Sequence, residues 1–293
     1  MQPFDEFSTI VRANEPLAPL TWFRLGGPAE FLARPTSSQE LSSLVQRCVK
    51  TKLPWRVLAG GSNVLVRDEG VRGLVLHLES PSFSDVQIEG NRLIAGSAVP
   101  LTALISQTAR AGLAGLETLT GIPGTFGGAI RGNSGGRQGA IGQFVRRATV
   151  LEADGQVRTR EQDDLIFSYR RSNLDDCVIL SAELELEPDD PEAVVRRMRR
   201  IWIVKKENQP YGHQSAGCIF KNPTPEISAG TLIDQAGLSG RRIGGAEISD
   251  RHANYIIAEP GATVSDVLDL IDLTRGEVLR QFGYELELQI QIW

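Results

Sequence analysis

The sequence is poor in cysteine and histidine, with three of each in 293 residues. Cys48, Cys177 and Cys218 are widely spaced and odd in number, which argues against a disulfide framework and for a reducing, cytoplasmic setting. His77, His213 and His252 fall into no metal-ligand pairing, so no metal is expected. No run of about 20 apolar residues occurs, which leaves no membrane span to expect. Basic residues are not in excess: 31 Lys and Arg against 36 Asp and Glu give a net charge of −5, and no broad attraction for nucleic acid. The opening "MQPFDEFSTI" has no basic stretch followed by an apolar one, so no signal peptide is read. These absences leave a soluble globular protein, long enough for two domains.

Glycine is what the chain has in plenty. Nine of its 30 glycines fall between positions 121 and 142. Such clustering means backbone that approaches something closely or turns that need positive φ. The spacing never repeats as in collagen or a solenoid, so the cluster reads as a local binding device.

Along the chain, "TWFRLGGPAEFLARP" (21–35) reads as strand, Gly-Gly turn, strand. Ser37 and Glu40 then form a capping-box pattern ahead of Leu41, Leu44, Val45, Cys48 and Val49 at helical spacing, which puts Cys48 in a core. "WRVLAGGSNVLV" (55–66) is strand, glycine turn, strand; "GLVLHL" (73–78) is another strand; residues 85–98 form a hairpin turning at Glu89-Gly90-Asn91. Pro100 opens a helix that runs to about Gly112. After the glycine cluster come strands near 145–151 and 156–160, then a strand at 177–187 that closes a first unit. A helix over 188–207 has Val194, Val195, Met198, Ile201 and Trp202 on one face. Arg196, Arg197, Arg199 and Arg200 lie on the other, as a solvated surface or an attractor for phosphate. A short helix around 229–236, strands near 241–248 and 254–258, and a helix from Thr263 with Asp266 at N3 follow. The last helix should turn Val267, Leu268, Ile271, Val278 and Leu279 inward, and "YELELQIQIW" (284–293) is a terminal strand with clean alternation. Strands and helices mix without regular βαβ repetition, so the class is α+β, with domains at 1–187 and 188–293.

Two segments suit an elongated cofactor. "AGGSN" (59–63) could form an anion-binding nest of backbone N–H groups, aided by Ser62 and Asn63. "GIPGTFGGAIRGNSGG" (121–136) is a longer glycine loop that matches neither a Walker A motif nor a dinucleotide G-x-G-x-x-G. A third segment, "SAGCIFKNP" (215–223), raises the question of what Cys218 does: packing, ligand, nucleophile or proton donor.

Taken in order, "TWFRLGGPAEFLARP", "LAGGSNVLVRDEGVRGLVL", "GLAGLETLTGIPGTFGGAIRGNSGG", "FSYRRS", "SAGCIFKNP", "AGTLIDQAGLSGRRIGGAEISDRHANYII" and the terminal strand resemble the UDP-N-acetylenolpyruvoylglucosamine reductase family, in its more compact subtype. The resemblance spans nearly the whole chain. It implies an FAD-binding domain of the vanillyl-alcohol-oxidase type followed by a smaller α+β substrate domain. It implies FAD held by Gly60, Gly61, Ser62 and Asn63 of the first loop and by Gly121, Ile122, Pro123, Gly124, Gly127, Gly128 and Asn133 of the second. NADPH is the implied reductant, and a small-molecule sugar nucleotide the partner. The chain is expected to act as a cytoplasmic monomer.

The implied reaction places roles on residues. Hydride addition beside a carboxylate pushes negative charge onto its oxygens, where a fixed cation should stabilise it. Arg170 of "SYRRS" matches the family's arginine, and a guanidinium can grip a carboxylate at two points. The carbon then needs a proton. The family usually has serine where this chain has Cys218; a thiol, with a reference pKa of about 8.5, is mostly protonated at pH 7 and so could donate. The family's glutamate in the last strand meets Gln289, a neutral amide that cannot relay a proton. Glu287, on the same strand face about 7 Å away, could take its place, or Gln289 could suffice. Lys221 and Asn222 of "FKNP" match residues lining the substrate pocket. His252 is expected to be structural. Cys218 and Gln289 keep two alternatives open: a diverged FAD-dependent oxidoreductase on another sugar or alcohol, and a non-catalytic flavin-binding relative.

Overall fold

The computed structural model describes residues 3–136 and 138–293; the first two residues of the segment read for a leader lie outside the described residues. The chain forms two compact units. The first holds the residues up to Asn14, Glu30–Gly60 and Arg72–Ile203; the second holds Glu15–Ala29, Gly61–Val71 and Val204–Trp293. The boundary expected at 187/188 therefore differs from the observed division in two ways. The second unit takes two early segments, and the first keeps most of a helix placed beyond the boundary.

In the first unit, Ser37 caps helix α1 (Ser38–Thr51), its hydroxyl accepting the Glu40 N–H at 3.2 Å. The Glu40 carboxylate turns to the Thr36 N–H and hydroxyl, at 2.7 and 2.9 Å, so only half of the expected capping box forms. Leu41, Leu44, Val45 and Cys48 are buried as expected, whereas Val49 is exposed. They pack with Leu74 and Leu76 of strand Val71–His77, which pairs in parallel with Trp55–Leu58 inside a four-stranded sheet. A second, five-stranded antiparallel sheet runs in the order Val157–Glu161, Val145–Leu151, Val178–Glu185, Arg92–Gly96, Val86–Glu89. Its last two strands form the expected hairpin, with Gly90 at φ 61 in the turn. Helices α2 (Leu101–Arg110) and α3 (Phe126–Arg131) share the apolar core of this sheet through Leu101, Leu104, Ile105, Phe126, Ala129 and Ile130. Helix α4 (Pro191–Asn208) buries only Val194 outright, and Trp202 is 42% exposed, so its expected apolar face is partial.

The second unit gathers α5 (Ala229–Gln235), α6 (Val264–Phe282) and an antiparallel sheet of Arg242–Ile243, Ala246–Ile248 and Ile256–Ala258. Residues 241–248, read as one strand, fold back on themselves at Gly244 (φ 51). Thr263 and Asp266 close a full capping box on α6. Its buried side is Val264, Val267, Leu270, Ile271, Thr274 and Val278; Leu279, expected inward, is 52% exposed because it lies about 100° around the helix from Val278. The terminal strand is shorter than expected. Only Gln291–Ile292 pairs, in parallel with Val64–Leu65, after a bend at Gln289–Ile290. The alternation survives in burial, with Leu286 and Ile290 inward and Glu285 and Glu287 outward. Residues 21–27 form no strand, because Arg24 at φ 57 and Gly26 at φ 108 turn the chain out of the extended region.

Candidate active site

Within the first unit the two glycine segments meet. A Cβ on Gly60 would come within 2.9 Å of the Gly124 Cα, so Gly60 must stay bare for the loops to touch. The segment 121–136, expected as a loop, contains α3. Thr125 caps it, its Oγ1 accepting the Gly128 N–H at 3.4 Å, while Phe126, Ala129 and Ile130 anchor its inner side. Gly127 and Gly128 sit on the other side: a Cβ on Gly127 would lie 2.6 Å from Ser97 Cβ, and one on Gly128 3.4 Å from Ala59 Cβ. Gly127 and Gly128 lie on the wall of an open cavity of about 430 Å³, a figure that includes solvent space at its mouth. Val57, Ala59, Leu78, Ala98 and Ile179 supply apolar wall, with Ser97, Thr125, Arg131 and Cys177 beside them. Burial pushes the Cys177 thiol up to about 11, despite Arg160 and Arg131 nearby. Ser97 Oγ is buried with no hydrogen-bond partner among the described residues. A cavity with apolar walls and a few polar groups beside them fits a heteroaromatic ring of a flavin dinucleotide, whose charged pyrophosphate needs other partners.

Arg170 belongs to the same unit. Phe167–Ser168 and Arg171–Ser172 pair in a tight hairpin whose two-residue tip is Tyr169-Arg170. Arg170 adopts φ 57, an uncommon conformation for a residue with a Cβ. Its Nη1 donates to the Gly135 carbonyl at 2.8 Å, and its guanidinium carbon lies 5.5 Å from the Tyr169 ring centre. Asn133, expected at the cofactor, is also left-handed, at φ 41. Its Nδ2 donates to the Ser168 carbonyl at 2.7 Å and its Oδ1 accepts the Gly142 N–H at 3.0 Å. The observed work of Asn133 is thus to tie the Arg170 hairpin to the glycine-rich segment. Gly121 (φ 82) and Gly124 (φ 104) turn the loop, and Ile122 and Pro123 lie between them.

The other candidates lie in the second unit. Residues 218–221 run between two neighbouring stretches. Cys218 bridges Tyr255, the Ile219 N–H donates to the Asn254 carbonyl at 2.8 Å, and the Lys221 N–H donates to the Glu287 carbonyl at 2.8 Å. The Gln289 N–H closes the pattern on the Ile219 carbonyl at 2.7 Å. Cys218 is of intermediate exposure. Asn254, buried and unforeseen in the sequence, clamps Phe220 through both amide atoms, at 2.9 and 2.8 Å. Asn63 Nδ2 donates to the Gln289 carbonyl at 3.0 Å, and the Asn63 carbonyl accepts the Gln291 N–H. Asn63, expected at the cofactor, therefore holds the chain at Gln289, while Gly61 (φ 63) is pressed against the Leu20 carbonyl. Ser62 lies beside it in the same turn.

Lys221 and Glu287 find each other, Nζ to Oε1 at 2.6 Å, with the lysine side chain 15% and the glutamate 65% exposed. Asn222 Oδ1 accepts the Ala229 N–H at 3.1 Å, at the entry to α5. His252 matches its structural expectation: its Nδ1 takes the Asn254 N–H at 3.3 Å, its ring meets Tyr255 edge-on, and burial holds its pKa below the usual imidazole range. Sequence reasoning missed Ser97 and Asn254. For Ser97 the available signal was the small-residue run Ala95-Gly96-Ser97-Ala98 that ends a strand where a ligand could approach. The lone Asn254 carried none.

The family comparisons agree with this layout. Residues 29–160 match the model of an FAD binding domain, and residues 209–293 match the C-terminal domain of UDP-N-acetylenolpyruvoylglucosamine reductase. A reductase of that name from Heliobacterium modesticaldum is 40% identical over 95% of this chain and 89% of its own length. One from Moorella thermoacetica is 41% identical over 97% and 93%. The crystal structure of the enzyme from Thermus caldophilus superposes with a TM-score of 0.84 at 36% identity, covering 97% of this chain and 99% of that one. A solvent-stable cholesterol oxidase, 15% identical, shares the fold alone over 64% of this chain and 40% of its own, at a TM-score of 0.50. The chain belongs to the UDP-N-acetylenolpyruvoylglucosamine reductase family.

Proposed function

We propose that this protein reduces the enolpyruvyl group of UDP-GlcNAc enolpyruvate to give UDP-N-acetylmuramate, a precursor of peptidoglycan. The reading is carried by end-to-end likeness to reductases of that name. Bound FAD, reduced by NADPH, supplies the hydride. The chain holds the cofactor with Gly60, Gly124, Gly127 and Gly128, where the two glycine segments pack closely and Gly127 and Gly128 line the cavity. The first unit is the FAD-binding part, and the second is the substrate-binding part.

The chain's own residues do the rest. The Arg170 guanidinium binds the substrate carboxylate, where negative charge gathers as the double bond is reduced. Its left-handed backbone at φ 57 supports this, since such strain persists where the surroundings enforce it and clusters at functional sites. The Cys218 Sγ carries the proton that completes the addition, which leaves a saturated lactyl ether. Gln289 orients by hydrogen bonding and moves no proton. Glu287 is committed to Lys221, and that pair borders the sugar-nucleotide pocket with Asn222. Three free thiols support a reducing, cytoplasmic location. Among the described residues no helix is long and apolar enough to cross a membrane.

The test is anaerobic, steady-state NADPH oxidation by the purified protein with and without UDP-GlcNAc enolpyruvate. Oxidation that depends on the sugar nucleotide is expected. A flavin that NADPH reduces but the substrate never reoxidises would sink the proposal and leave a flavoprotein with another acceptor.

A further inference from the structure

Asn254 stands where a strand runs out. Ile219 and Phe220 are 0% and 1% exposed, so their backbone groups must find partners inside the protein. Ile219 divides its two between neighbours: its N–H goes to the Asn254 carbonyl at 2.8 Å, and its carbonyl takes the Gln289 N–H at 2.7 Å. The Lys221 N–H then goes to the Glu287 carbonyl, across the bridge between Phe220 and Leu288. In such an antiparallel pair the N–H and carbonyl of the bridged residue point to the opposite side. On that side the backbone ladder has ended, because residues 253 and 254 are in a turn just before the bridge of Tyr255 to Cys218. The Asn254 side chain replaces the missing strand. Its Oδ1 accepts the Phe220 N–H at 2.9 Å and its Nδ2 donates to the Phe220 carbonyl at 2.8 Å. An amide does both side by side; a carboxylate has no donor, and a serine hydroxyl has one oxygen on a shorter arm. Asn254 is itself 2% exposed and braced, its N–H donating to His252 Nδ1 at 3.3 Å.

We propose that Asn254 is the positioning residue for the Cys218 thiol, holding segment 218–221 in the register that sets Cys218 against Gln289. The inference rests on the reading of Cys218 as proton carrier and adds the residue that aims it. Ile219, next to Cys218 in the chain, is held by Asn254 on one side and by Gln289 on the other. Without the amide, the Phe220 N–H and carbonyl lose their partners inside the core, and the segment relieves that by shifting. Cys218 moves with it, and a catalytic group displaced by about 1 Å can lose about 10²-fold in rate.

The experiment compares wild type, Asn254→Ser, Cys218→Ala and the double variant. Each is reduced with NADPH without oxygen, and reoxidation of its flavin by UDP-GlcNAc enolpyruvate is followed by stopped-flow absorbance. Asn254→Ser is expected to slow reoxidation about 10- to 100-fold. Reduction by NADPH takes no proton from Cys218 and should keep its rate. In the Cys218→Ala background Asn254→Ser should cost nothing more, because the group it aims is gone. A second readout needs no turnover. Cys48 and Cys177 are buried, so N-ethylmaleimide labelling of the flavin-free protein, mapped by mass spectrometry, reports on Cys218, and it should speed up as the segment loosens. Asn254→Asp, which keeps the shape and the acceptor but loses the donor, gives the same readouts should the serine variant fold poorly. Reoxidation or labelling at the wild-type rate would overturn the inference. So would equal slowing of reduction and reoxidation, or a full further loss in the Cys218→Ala background. A Cys218→Ala enzyme reoxidised as fast as wild type would instead overturn the reading beneath it.

Discussion

Cys218 and Gln289, which the resemblance sets against a serine and a glutamate of the family, can be varied with little risk to the fold. The segment carrying Cys218 is held through backbone atoms of Ile219 and Lys221, and Gln289 is fixed by its own N–H and carbonyl. Side-chain changes there should act on rate. Cys218→Ala is expected to lower kcat about 10²-fold or more, the usual worth of a positioned acid. Cys218→Ser should keep turnover and abolish inactivation by N-ethylmaleimide. Gln289→Glu should raise kcat by restoring a group that can move a proton. Steady-state kinetics of the three variants settle the roles; a Cys218→Ala enzyme as fast as wild type removes the thiol from the mechanism, and an unchanged Gln289→Glu rate shows that the amide suffices.

At the scale of elements, the hairpin Phe167–Ser172 depends on Asn133. That side chain joins Ser168 to Gly142, and Arg170 leans on Gly135 in the same glycine-rich stretch. Asn133→Ala removes both bonds, each worth about 0.5–1.5 kcal/mol net. Its stability loss should come with a lower kcat, because the hairpin that aims Arg170 is released. Urea unfolding and kcat measured on one preparation test this; a stability loss at unchanged kcat would separate Asn133 from Arg170.

Elements with local signals were legible in the sequence: the caps at Ser37 and Thr263, the hairpin at Gly90-Asn91, and α2 after Pro100. Helix α3 was not, since glycine disfavours helices. Gly127 is there because Ser97 comes close, a tertiary demand no local pattern reveals. The same limit hid Arg24, whose left-handed backbone breaks an apparent strand. It also hid that Asn63 and Asn133 bind distant backbone. Motif order located the glycine segments and Cys218, but their neighbours came only with the fold.

For the whole molecule, buried titratable groups set the pH range of stability. Burial lowers the pKa of His77 and of His252 below the usual value of 6.5. Below that value the unfolded chain binds protons that the folded chain refuses, so stability falls as pH drops from 6.5. Burial raises the Cys48 and Cys177 thiols to about 11, against an ordinary 9.0. Between those values the unfolded chain loses protons that the folded chain keeps, so stability also falls as pH rises from 9 toward 11. Urea midpoints should therefore be highest on a plateau between these windows and decline on both sides. Cys48 gives the cleaner test, because it sits in the α1 core away from the cavity wall. Cys48→Ala should lower the midpoint everywhere, having lost core packing, and should also flatten the alkaline decline. His252→Asn should flatten the acid decline in the same way. A Cys48→Ala midpoint that falls as steeply as wild type from pH 9 to 11 would assign the alkaline loss to groups other than this thiol.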